Sequence, residues 1–512
     1  MSMKRYFVGD IPRRKFLELS LKGGAVLVAA PSMMSLLSCK GIPPEKEVLT
    51  VGKDILDKTI SKALEKGGEF ADVYMEHRIS REILLEENKF KSGVYGISQG
   101  AGVRVISGDK TGFAYTDEVT EEKLLNAAQV ASYVADESKS VQPINIESEE
   151  RPSYITVEVP LGEVADQKRL DVMNRANQAA LDYDPKIKMV SVSYYDEVRG
   201  RTIANSQGLY LSDELPLMFF IVQTLGAGNN TRHMGRERLS KHMGFEMFDQ
   251  YKPEDVARKA ARESVDMLEA EDCPAGMMDV VMQNGWGGVL VHEAVGHPLE
   301  ADNIAKKIGA FTGKLGQKVA SDVFTMVDDG SIPNMRGTTN FDDEGTQMKR
   351  NVLINNGVLE KYLTDILSGK QISMERTGNG RRQTFRHIPI PRMTNTFIDK
   401  GSDKPEDILS STKQGLYVQS LSGGSVNPTT GVFNFTCREA YLIEDGKKTV
   451  PVKGATLIGN CIDIISNIDA VGDDLAFGPG ICGKGGQACE VSAGQPTVRI
   501  RRINVGGSRA RS

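Results

Sequence analysis

Residues 284–302 read Asn284-Gly285-Trp286-Gly287-Gly288-Val289-Leu290-Val291-His292-Glu293-Ala294-Val295-Gly296-His297-Pro298-Leu299-Glu300-Ala301-Asp302. Two histidines stand five positions apart, with a glutamate beside the first. On a regular helix, residues i and i+4 lie about 40° apart and can face one metal, whereas i and i+5 diverge by about 140°. Gly296 before His297 and Pro298 after it offer a π-bulge or a helix end that returns the second ring toward the first. The segment therefore reads as a short, distorted helix. Its surroundings read as strands. Asn356-Gly357 and Asp445-Gly446 are hairpin signals flanked by β-rich runs such as 432–436.

Working outward, 512 residues leave room for two to four packed domains, and 52 glycines, many in GG or GxG clusters, favour tight turns over long helices. Against 63 Lys and Arg stand 68 Asp and Glu, a net charge of −5, so no general basic field exists to hold nucleic acid. Residues 54–66 place Ile55, Leu56, Ile60, Ala63 and Leu64 on one helical face. Strands follow over 71–117, with turns expected at Gly100, Gly102, Gly108 and Gly112. Residues 136–153 read as a linker or surface loop and 161–184 as a helix, followed by strands near 190–195 and 216–225. Pro253 opens an amphipathic helix. The fold class is thus α+β: an N-terminal mixed α/β domain, 40–270, with a Gly-rich antiparallel sheet, and a C-terminal, predominantly β domain, 275–512, carrying the HExxxH helix.

Residues 1–39 read as an address. Arg13-Arg14-Lys15-Phe16-Leu17 precedes a short apolar stretch broken by Pro31, the order of an export signal of twin-arginine type. Leu36-Leu37-Ser38-Cys39 resembles a lipobox, with Cys39 as the acylated residue. A cell-envelope location is expected, periplasmic or membrane-anchored through that lipid alone.

The chemistry concentrates on the opening stretch. A carboxylate beside a metal-bound water is the base that metal-assisted hydrolysis requires, which suits Glu293. Two histidines do not complete a zinc site. The third ligand is open among His77, His233, His242, His387, the carboxylates near 300 and the cysteines. Cys482 is preferred, because glycines flank it in 478–487 and Lys484 is placed to help hold a thiolate. The remaining cysteines show no CxxC pair or framework spacing and read as small buried hydrophobes.

HEAVGHPLEAD at 292–302, PVKGATLIGN at 451–460, GICGKGGQ at 480–487, SAGQPT at 492–497 and GAGVRVISGDKTGFAYTD at 100–117 together resemble the TldD/PmbA family of zinc metallopeptidases, in its TldD branch. The resemblance implies Zn²⁺ held by His292, His297 and Cys482, Glu293 as catalytic base, and Asp302 supporting the site without binding the ion. It also implies an endopeptidase acting on unfolded or extended peptides laid along a sheet edge. The enzyme would be a homodimer, or a heterodimer with a paralogue. The alternatives are a non-catalytic peptide-binding or assembly subunit, and a zinc amidase acting on a non-peptide envelope substrate.

Other motifs carry less. Gly96-Ile97-Ser98-Gln99-Gly100 matches a nucleophile elbow but is followed by strand-like residues, so Ser98 reads as a turn residue. Residues 478–484 fit a phosphate loop, except that Gly485 stands where Ser or Thr should bind magnesium. Tyr194, Tyr195, Phe219 and Phe220 read as core or sheet-face residues, and Arg376, Arg381, Arg382 and Arg386 as a solvated loop.

Overall fold

A computed structural model describes residues 51–135, 144–228, 230–427 and 430–507. The export signal, Cys39 and residues 136–143 of the expected loop lie outside them. Within 144–153, Glu147–Ser148 forms a two-residue strand beside Leu209–Tyr210. The fold is mixed α+β and mostly strands.

The N-terminal sheet runs, in order, Lys110–Thr116, Lys89–Ser107, Phe70–Glu86, Ile187–Asn205, Leu209–Gly228 and Thr231–Lys241, all antiparallel. Alternation sets its faces. Val190, Val192 and Tyr194 are buried, while Ser191, Ser193 and Tyr195 between them are half-exposed. The buried side packs under helices Asp166–Leu181 and Pro253–Asp266, whose Ala176, Ala257, Ala260 and Ala261 permit close approach. Pro253 occupies the first helical turn, where its missing N–H leaves no bond unmade.

Three glycines expected in turns sit inside strands. Gly100, Gly102 and Gly112 are paired, and only Gly108 turns the chain. A Cβ on Gly102 would strike the carbonyl of Phe385, and one on Gly112 that of Ala131. These glycines serve close packing onto a flat strand, a use that sequence does not distinguish from a turn. Ser98 is likewise mid-strand, opposite Arg78.

Five C-terminal strands close a barrel. Gly276–Met282 lies parallel to Gln414–Val426, which pairs with Val432–Glu444; that strand pairs with Thr456–Asn460, then Val498–Gly506, which returns to Gly276–Met282. Phe433, Phe435 and Cys437 point inward and their neighbours outward. Both hairpin signals hold, Asn356-Gly357 and Asp445-Gly446 each joining paired strands. A second, six-stranded sheet ends with Asn395–Ile398, Gln487–Gln495 and finally Ala476–Lys484, its edge.

The expected solvated arginine loop is a correction. Arg381 and Arg382 are buried: Arg381 donates to the carbonyls of Met393 and Glu490, and Arg382 to that of Asp343, while Arg376 and Arg386 remain exposed. Buried guanidinium groups persist because backbone carbonyls, and for Arg382 the Asp72 carboxylate at 3.6 Å, replace water.

Candidate metal centre

Strand Gly276–Met282 leads out of the barrel into Gly285, whose φ of 95° suits glycine. The turn Trp286–Gly288 then lies on strand Gln487–Gln495, where any Cβ on Gly288 would strike the backbone of Gly494. Gly288→Ala is therefore expected to lower stability by about 1–3 kcal/mol, the usual range for overpacking. A thermal melt checks this, and an unshifted midpoint would show that the strand yields freely.

Val289–Val291 makes one α-helical turn, followed by a π-helical turn over His292–Gly296 and a 3₁₀ turn over His297–Leu299. The wider π turn takes up the extra residue of the spacing. Leu290, Val291, Ala294, Val295 and Leu299 anchor the segment in the core. Gly296 lets the segment pack against Met393, whose sulfur would have to move to admit a side chain there.

His292, His297 and Cys482 converge, with one ligand atom from each lying within 4.8 Å of the others. His297 Nε2 is 3.3 Å from Cys482 Sγ, and the two imidazoles are nearly perpendicular at 83°. Among the described residues neither ring nitrogen of His292 has a hydrogen-bond partner, although both are buried. Burying an unpaired polar atom costs about 1–3 kcal/mol. A metal ion would satisfy one of these nitrogens, and two nitrogens with one sulfur suit zinc with a position left open. Glu293 Oε2 lies 3.7 Å from His297 Nε2, and its side chain keeps 27% exposure beside buried histidines.

Neighbouring charges shift the protonation of both groups. Burial alone would raise the Cys482 thiol, but His292 and His297 outweigh it and hold the thiol well below its ordinary value. Burial would lower His297, yet Glu300 and Cys482 hold it well above. A thiolate is the form that binds metal.

Glu300 is the functional residue that spacing did not single out. Fully buried, its Oε2 accepts from His297 Nδ1 at 2.8 Å and meets Lys484 Nζ at 3.0 Å. Burial opposes its ionisation, but the charges of His297 and Lys484 prevail and hold its carboxyl at about 2. With Nδ1 engaged, Nε2 is the nitrogen presented to the cluster. The expectation that Lys484 holds the thiolate is corrected: it bonds Glu300, Asp302 at 2.6 Å and the Pro391 carbonyl at 3.1 Å. Asp302 thus reaches the cluster only through Lys484. Glu300→Gln is expected to weaken metal binding about 10–100-fold, measured by competition with a chelating dye. Unchanged affinity would remove Glu300 from this role.

The other histidines stand apart. His242 Nδ1 lies 2.5 Å from the Pro216 carbonyl, His387 bonds Thr384, and neither they, His77 nor His233 joins the cluster. Cys273, Cys437, Cys461 and Cys489 are buried and free.

The chain matches three family descriptions in succession: PmbA/TldA metallopeptidase domain 1 over 71–135, central domain over 159–268 and C-terminal domain over 275–507. It is 37% identical over 452 residues to a metalloprotease TldD homolog of Haemophilus influenzae, covering 86% of this chain and 93% of the relative. Over 455 residues it is 27% identical to a zinc metalloprotease TldD homolog of Saccharolobus solfataricus, covering 88% and 99%. In fold it is similar to TldE from Thermococcus kodakarensis, with a TM-score of 0.73 at 19% identity over 88% of this chain and all of that one.

Proposed function

The chain belongs to the PmbA/TldD family of metallopeptidases and is a metalloprotease, and from the geometry of the cluster we propose a zinc endopeptidase of unfolded or extended peptides. His292, His297 and Cys482 are the ligands in this reading, and Glu293 is the base. The convergence of their ligand atoms around the unpartnered nitrogens of His292 carries it.

Bound zinc would supply Lewis acidity, polarising the scissile carbonyl and acidifying the attacking water. Glu293 takes the proton of that water and returns it to the nitrogen of the leaving amine. Glu300 engages His297 Nδ1 and so leaves Nε2 to face the ion, which would displace its proton, and Lys484 ties this carboxylate to the strand that bears Cys482. That strand, Ala476–Lys484, has no described strand on its outer edge. An extended peptide added there would run past Cys482, held by backbone bonds that tolerate many side chains.

Residues 13–17 and Cys39 support export in the folded state and anchoring by a lipid, and so a place in the cell envelope. The reading includes a second subunit, a copy or a paralogue. Among the described residues, no helix is long and apolar enough to cross a membrane.

Metal analysis of the purified protein, with a chelator-sensitive assay on unstructured peptides, tests the proposal. One zinc per chain and cleavage abolished by the chelator are expected. Neither metal nor cleavage would leave a peptide-binding subunit, and zinc without peptide cleavage would point to an amidase.

A further inference from the structure

Trp286 is the only tryptophan in the chain. Its six-membered ring spans two glycines of the edge strand: Cε3 comes 2.9 Å from where Gly478 would carry a Cβ, and Cη2 2.9 Å from the same point on Gly480. Any side chain at either position would displace the ring. Its Nε1 is buried without an acceptor among the described residues. The Arg238 guanidinium lies 4.4 Å from the centre of the indole.

Arg238 has no carboxylate in ion-pair contact among the described residues, and neither has Arg236 on the same face of strand Thr231–Lys241. The Nε of Arg236 is buried without a partner among those residues. Glu237 points to the other face by strand alternation, toward the helix that carries Lys259. Burial, together with Arg236, Arg438 and Arg336, pushes Arg238 down to about 10. Arg336 fixes the place relative to the edge strand: its Nε donates to the Gly480 carbonyl at 2.9 Å, and its guanidinium stacks 4.6 Å from the Phe219 ring. Arg438, by contrast, is matched by Glu263 at 2.6 Å. A half-buried cation left unmatched beside an unpaired indole donor is unfavourable without an anion.

We propose that Arg238 and Trp286 form a carboxylate-binding subsite for the peptide substrate. A guanidinium binds a carboxylate through two parallel N–H bonds, and the indole N–H is a further donor. Gly480 precedes Cys482 by two residues, about 7 Å along the strand. A carboxylate held there therefore belongs to a residue roughly two positions from the bond under attack. It comes from an acidic side chain or from a free C-terminus. The subsite rests on the peptidase reading for its place beside the reaction, but not for its binding chemistry.

Paired unstructured peptides distinguish the sources: one set exchanges Glu for Gln at single positions, and the other exchanges a C-terminal acid for its amide. Binding is read on full-length Glu293→Gln protein from the fluorescence of Trp286, and turnover on the unmodified protein. The acid of one pair is expected to bind about 10-fold more tightly than its neutral partner and to shift the fluorescence, the discrimination of a charge-assisted bond. The gain should appear in KM. In Arg238→Gln the ratio between the paired peptides should collapse toward one, and Arg238→Lys should restore part of it. A ratio is insensitive to partial loss of folded protein. A response confined to the side-chain pairs, or to the C-terminal pair, supports the subsite and names its source. Equal binding of acid and neutral peptides in every pair, or a preference that survives Arg238→Gln, overturns it. Arg238-dependent binding without cleavage would instead sink the peptidase reading and leave the subsite standing.

Discussion

Glu293→Gln is expected to retain its metal while cleavage of unstructured peptide falls by about 10²–10⁴-fold, the usual worth of a positioned general base. The substitution preserves shape and hydrogen-bonding reach but removes the ability to accept a proton. Glu293 follows directly on His292 in the π turn, and its carboxylate lies 3.7 Å from His297 Nε2 with 27% of the side chain exposed. Glu300, the other carboxylate at the cluster, is fully buried and committed to His297 and Lys484. It is not placed to serve a water arriving from solvent. Turnover measured alongside metal content separates a lost base from a lost ion. Full metal with undiminished turnover would take Glu293 out of the mechanism.

Cys482→Ala is expected to weaken zinc binding by about 10²–10³-fold. Structural zinc sites with four ligands bind with roughly 10–16 kcal/mol, so one ligand corresponds to about 2.5–4 kcal/mol. The sulfur is almost wholly buried and sits 3.3 Å from His297 Nε2. Its removal takes away the anionic ligand and leaves two imidazoles to hold the ion, while Glu300 stays on His297 Nδ1. Strand Ala476–Lys484 should still pair with Gln487–Gln495, since that ladder is made by backbone and both strands continue past the site. Chelator competition reads the affinity, and an unchanged thermal midpoint without metal establishes that the fold survives. Zinc bound as tightly as before would move the third ligand elsewhere.

Much of the centre is legible in local sequence. His292, Glu293 and His297 are neighbours along the chain, and Gly296 and Pro298 mark where a regular helix must deform, so the π turn follows from spacing and backbone freedom. Cys482 stands out because glycines surround it, although residues alone left several rivals for its place. Glu300 was harder to single out. Its spacing from His297 matches that of countless surface carboxylates, and only its complete burial against His297 and Lys484 marks it. Lys484 pairs with Glu300 and Asp302 rather than with the thiolate, because sequence proximity to Cys482 says nothing about which acid lies across the fold.

The misread glycines have the same origin. Gly100, Gly102 and Gly112 look like turn residues until Phe385 and Ala131 are found against them. Arg381 and Arg382 look like a solvated loop until carbonyls close around them.

The sequence by itself determined the hydrophobic alternation of the strands, the hairpins at Asn356-Gly357 and Asp445-Gly446, and the deformable two-histidine turn, since each depends on torsions and contacts within a few residues. Only the tertiary structure decided that five strands close into a barrel, that Cys482 meets two rings some 190 residues away, and that Arg238 stacks on Trp286. Such meetings arise when distant segments exclude water together, and their partners are chosen by the packing of the whole chain.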